Sequence, residues 1–109
     1  MKVVFHINEL EKWEMVLGNI INLLEAGKKD IRSVEVVASG DAVLGYIDSK
    51  LAIPMHELTE LGVRFNSCQN AMNANNVDKI SIHPFIKVVP AGVLRLVELQ
   101  TAEYAYIKP

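Results

Sequence analysis

Five short apolar runs, at residues 3–7, 34–38, 63–67, 86–89 and 104–107, punctuate this chain, and a stretch able to form a helix follows each of the first four. That alternation constrains the fold more than any other feature. Successive strands joined by helices are parallel, because parallel pairing needs a long crossover. The spacing therefore predicts an α/β fold: a three-layer α/β/α sandwich around a mainly parallel sheet of about five strands. With 109 residues the chain is expected to form a single domain, residues 1–109, with enough length for a real core.

The intervening stretches carry helix signals. Asn8 precedes Glu11 by three residues, a capping-box spacing, and Leu10, Trp13, Leu17, Ile20, Ile21 and Leu24 recur at helical intervals behind it. Gly27 is placed to end that helix as a left-handed cap, and Gly18 within it marks a candidate close contact. Ser39 or Asp41 can cap a short helical segment over residues 42–46. Pro54 is expected to open another helix, with Met55, Leu58 and Leu61 on its buried face and Gly62 at its end. Residues 73–84 are polar and Asn-rich, a loop with one helical turn from Asp78. The last helix carries Val93, Leu94 and Val97 as its apolar set. Trp13 and the tyrosines at 46, 104 and 106 suit a core or a subunit contact.

Half of the residues are hydrophobic, which argues against disorder. A net charge of −2 supplies no footprint for nucleic acid, and the cluster Lys28, Lys29 and Arg32 reads as a solvated helix end. No run reaches the roughly 18 apolar residues of a membrane span. The apolar run at the N-terminus is too short for a signal peptide, and a single cysteine forms no internal disulfide, so the expected location is cytoplasmic. Neither G-x-G-x-x-G nor G-x-x-x-x-G-K-[ST] occurs, which argues against nucleotide enzymes of those kinds. Three scattered histidines and one cysteine give no metal-site signature.

The candidate chemistry lies at the strand ends. If the strands are parallel, one sheet edge receives His6 and Asn8, then Ser39-Gly40-Asp41, then Cys68 and Asn70, then Pro90-Ala91-Gly92. Open α/β sheets bind ligands along that edge. Cys68 stands where a strand gives way to a helix, and free N–H groups there favour a thiolate over a thiol. Buried packing is the rival reading, because free cysteine behaves as a small hydrophobe. His6 can serve Cys68 as base or hydrogen-bond partner, or can be a core histidine. Asp41 can position a ligand or cap a helix. Asn70, with Asn73, Asn75 and Asn76, can present amides to an anion or supply turns. Ala91 and Gly92 offer backbone N–H groups at a helix start.

Taken in order, these residues resemble the DsrE/DsrF-like proteins. The resemblance rests on Val4-Phe5-His6-Ile7-Asn8-Glu9 before a long helix and on Val34-Glu35-Val36-Val37-Ala38 with Gly40-Asp41-Ala42. It continues through Gly62-Val63-Arg64-Phe65, Cys68-x-Asn70-Ala71-Met72 and Val88-Val89-Pro90-Ala91-Gly92-Val93. Gln100-Thr101 and the ending Tyr104-Ala105-Tyr106-Ile107-Lys108-Pro109 complete it across the whole chain. The resemblance implies an α/β/α fold, homo-oligomers such as dimers, trimers or hexamers, and a small single-protein branch related to sulfur relays. It implies that Cys68 carries sulfane sulfur as a persulfide between donor and acceptor proteins, with no metal or organic cofactor. His6, Asn70 and the backbone at Ala91 and Gly92 would then steady the anionic form. This chain has no adjoining second cysteine, a departure from the relay subunits. Two rivals stand beside this reading: a non-catalytic module holding a small anion or metabolite, bound around Asn8, Gly40, Asp41, Asn70, Ala91 and Gly92, and a structural oligomer with Cys68 inert.

Overall fold

The computed structural model describes residues 1–109. Its strands are β1 (Lys2–Ile7), β2 (Ser33–Ala38), β3 (Arg64–Cys68), β4 (Lys87–Val89) and β5 (Ala105–Ile107). Its α-helices are α1 (Trp13–Gly27), α2 (Ser49–Glu60), α3 (Gln69–Ala74) and α4 (Gly92–Thr101). One sheet holds all five strands in the order β4-β3-β2-β1-β5, and every pairing is parallel. The expected α/β architecture is therefore present.

The strand order dictates which face each connection takes. Steps from β1 to β2, β3 and β4 all run one way across the sheet, whereas the step from β4 to β5 runs back. Right-handed crossovers then require opposite faces. Accordingly Trp13, Val16, Leu17 and Ile20 of α1, Met55 and Leu58 of α2, and Met72 of α3 pack on Val3, Phe5, Ile7, Val34, Val36 and Phe65. Leu96 and Leu99 of α4 pack on Val4 and Val37 from the other side. The three layers follow from this split.

Register fixes what α4 covers. Val4 pairs with Glu35 and Glu35 with Arg64, so one charged residue lies in the middle of the sheet on the α4 side. Glu35 is 1% exposed and accepts two hydrogen bonds from Arg95 of α4, at 2.9 and 3.0 Å, and one from Asn66 Nδ2 at 2.9 Å. Burial of a carboxylate is tolerated only with such partners. Burial alone would lower Arg95, but its hydrogen bonds and charge contacts with Glu35 and Glu98 outweigh that and hold it above the usual guanidinium range.

Several local expectations are corrected. The Asn8–Glu11 capping box does not form. A 3-10 turn (Leu10–Lys12) precedes α1, and Asp41 Oδ1 accepts from the Leu10 N–H at 2.8 Å, so the cap comes from a loop distant in sequence. Gly27 keeps φ at −89°, and Lys28 takes the positive φ; a Cβ at Gly27 would run into Ile31. Gly18 faces open space rather than a close neighbour. Pro54 lies inside α2, which begins a turn earlier where Asp48 accepts from the Lys50 N–H at 2.9 Å. The segment expected over residues 42–46 is a longer 3-10 helix, Gly40–Ile47. The turn from Asp78 is present as Lys79–Ser81, with Asp78 accepting from the Ile80 N–H. On α4, Val93, Leu94 and Val97 are 74%, 52% and 54% exposed, and Leu96 and Leu99 make the sheet contact instead.

Candidate functional site

The four predicted strand ends do share one edge, because β1, β2, β3 and β4 are parallel neighbours. Along it, Cys68 at the end of β3 pairs with Val89 at the end of β4. The chain leaves β3 toward the α1/α2 face and leaves β4 toward the α4 face. The crevice where ligands bind in open α/β sheets is the place where connections part in this way. Cys68 stands at that parting.

Cys68 is free, 7% exposed, and occupies the residue before the first turn of α3. Gly92, the first residue of α4, lies against it. A Cβ at Gly92 would sit 3.3 Å from the Cys68 Cβ and 3.7 Å from its Sγ, and 3.4 Å from Val37 Cγ1. The absence of that Cβ leaves room beside the sulfur. Ala91 precedes α4 in extended conformation, and no side chain caps the helix, so its opening N–H groups are unclaimed by a capping group. Asn70 sits on the exposed side of α3.

The remaining predicted residues gather at the ends of β1 and β2. Gly40 has φ +54°, and a Cβ there would lie 2.7 Å from the Asn8 carbonyl oxygen, so the two loops touch through their backbones. Asp41 does act as a cap, but for Leu10 ahead of α1 rather than for its own segment as expected, and no side chain caps the 3-10 helix Gly40–Ile47. Asn75 donates to the carbonyls of Ala71 and Gly40, at 2.8 and 3.2 Å, tying α3 to that loop, and Asn76 takes φ +55° as a turn residue.

His6 does not reach Cys68 directly, which corrects the expected pairing: strand β2 lies between them. Its Nδ1 is 2.6 Å from the Tyr106 hydroxyl on β5, and its Nε2 is 3.1 Å from Ser39 Oγ, one residue past β2. Burial, and then the nearby charge of Lys108, hold His6 below its usual value, which favours the neutral ring. Continuing the β2–β3 register, in which Ala38 faces Ser67, brings Ser39 beside Cys68. Sequence reading took Ser39 as a helix cap and Tyr106 as packing. Their shared link to His6 depends on strand order. Glu35 was also passed over, although a carboxylate inside Val34-Glu35-Val36-Val37 demands a buried partner.

The largest groove, about 660 Å³, lies between α1 and α2 and is lined by Leu10, Trp13, Leu17, Leu51 and Pro54. None of the predicted site residues lines it. No three His, Cys, Asp or Glu side chains come together as a metal-binding group, and no helix is long and apolar enough to cross a membrane.

Fold and edge together define a parallel α/β protein with a lone cysteine where its crossovers part. No protein-family model and no curated protein matches the chain. Among solved structures it is similar to MTH1491 from Methanobacterium thermoautotrophicum, a protein of unknown function. The two share 34% identity and a TM-score of 0.89 over 99% of this chain and 98% of that one. The chain belongs to the family of that archaeal protein. It shares its fold with the ychN protein from E. coli, at 13% identity and a TM-score of 0.84 over 100% and 99% of the two chains. BT1422 from Bacteroides thetaiotaomicron, a conserved protein of unknown function, has 15% identity and a TM-score of 0.78 over 99% and 94%.

Proposed function

We propose that this is a cytoplasmic, DsrE/DsrF-like sulfur-relay protein that carries sulfane sulfur as a persulfide on Cys68. The observation that supports it most is the position of Cys68 at the parting of the crossovers, with the opening of α4 against it through Gly92. In the proposed cycle, the Cys68 thiolate attacks the outer sulfur of a donor persulfide. The donor S–S bond breaks, the donor leaves as a thiolate, and Cys68 holds the sulfur. An acceptor thiolate then attacks that outer sulfur, and Cys68 leaves as the thiolate. No net oxidation or reduction occurs, and no cofactor is required. The N–H groups at Ala91 and Gly92 would favour the anionic persulfide, with the Asn70 amide at the edge. His6 would act only through Ser39.

The exposed set Val93, Leu94 and Val97 on α4 supports assembly into a homo-oligomer, since an apolar face of this kind marks a contact surface. Cys68 at 7% exposure favours a second reading, in which the same edge binds a small anion or metabolite without chemistry and Cys68 packs.

A sulfur-transfer assay separates these readings. Sulfur should pass from a donor persulfide to an acceptor thiol through wild-type protein and fail with Cys68→Ser. Under the binding reading, Cys68→Ala keeps ligand affinity and a bulky residue at Gly92 abolishes it.

A further inference from the structure

Tyr106, His6 and Ser39 come from β5, β1 and the end of β2, yet form one hydrogen-bonded line at the carboxyl edge of the sheet. We propose that this line is a nucleophilic hydroxyl site, with Ser39 the nucleophile, His6 its base and Tyr106 the group that orients the base, acting on small carboxylic esters. The reading concerns a different activity from sulfur carriage and does not rest on Cys68.

The geometry meets the general requirement for an activated hydroxyl, a base within hydrogen-bond reach that a third group holds in turn. Ser39 Oγ is 3.1 Å from His6 Nε2, and the Tyr106 oxygen is 2.6 Å from Nδ1. With the ring proton on Nδ1, His6 donates to the Tyr106 oxygen and Nε2 accepts from the Ser39 hydroxyl. The neutral ring that burial favours is the form a base needs. Ser39 is half-buried and the adjoining Gly40 is exposed, so the residue is partly open to solvent at this edge. Gly40 and Asp41 open the 3-10 helix, so their N–H groups have no partner inside it, and neither donates among the hydrogen bonds outside the regular elements. Those two donors directly follow the nucleophile, where charge develops on a carbonyl oxygen.

The step is an acyl transfer. Ser39 Oγ bonds to the ester carbonyl carbon while its proton passes to His6 Nε2. The bond from that carbon to the leaving oxygen then breaks, and His6 returns the proton to the departing alcohol. Water attacks acyl-Ser39 by the same route, releasing the acid and restoring the hydroxyl.

A fluorophosphonate probe, with 4-nitrophenyl acetate as substrate, tests this in a Cys68→Ala background, so that a failed sulfur carrier leaves the result untouched. Peptide mass spectrometry should place the probe on Ser39. His6→Gln should slow labelling about 100-fold, the scale of general-base catalysis. Tyr106→Phe should slow it less and move the pH midpoint of labelling, which loss of packing alone would not do. The groups facing the His6 ring are Tyr106, Ser39 and Lys108. Each variant is compared at equal folded fraction by circular dichroism. No probe on Ser39, or undiminished labelling in His6→Gln, overturns the proposal.

Discussion

Gly92 and Cys68 touch so closely that a single added Cβ on the glycine would stand 3.3 Å from the cysteine Cβ. Val37 Cγ1 would stand 3.4 Å away as well, so buried neighbours on both β2 and β3 would have to give by a few tenths of an ångström. Gly92→Ala should therefore cost roughly 1 kcal/mol, the low end of overpacking. Gly92→Leu should cost more and should slow alkylation of Cys68 in folded protein. Urea denaturation and timed alkylation check both.

The strands were legible because apolar runs bounded by Gly, Pro and Asn have few other uses in a chain of this size. Their order was not. Any parallel order satisfies the alternation, and Tyr106 reaches His6 across a hundred residues of chain because β5 lies beside β1 in the observed order. Cys68 and Gly92 were legible as members of one edge, since chain order alone supplies that. Pro54 misled because proline suits a first helical turn, yet Asp48 six residues earlier carries the cap. On α4 both stripes are apolar, so composition could not say that Leu96 and Leu99, rather than Val93 and Val97, face the sheet.

Removing Arg95 should be far more damaging than its place on a short helix suggests. Arg95→Met leaves the Glu35 carboxylate buried with Asn66 and a distant Arg64 as its remaining partners. The expected loss is about 3–5 kcal/mol, whereas replacing Glu35 by Leu and Arg95 by Met together should cost much less. A double-mutant cycle in urea measures the difference.

Acid should weaken the fold partly through His6. Burial first, and then the nearby charge of Lys108, hold its folded-state value below the ordinary histidine value of 6.5. The unfolded chain therefore binds the proton more readily, so this contribution is present above 6.5 and is lost as pH falls through the lowered folded value. Tyr106 and Ser39 are the other polar groups facing the ring. The urea midpoint should fall more steeply with acid in wild type than in His6→Asn; equal slopes would contradict the assignment.

Asp41 should behave as a helix cap despite lying 31 residues from its partner, Leu10. Asp41→Ala should lower stability by about 1 kcal/mol, and Asp41→Asn, which keeps the acceptor oxygen, should restore most of it. Thermal melts of the two variants settle the comparison.

Intact-protein mass spectrometry after exposure to a persulfide donor tests the central claim most directly. The account predicts that wild-type protein gains the mass of one sulfur atom, that a reducing thiol removes it, and that Cys68→Ser gains nothing. An unchanged wild-type mass, or an equal gain in Cys68→Ser, would contradict it.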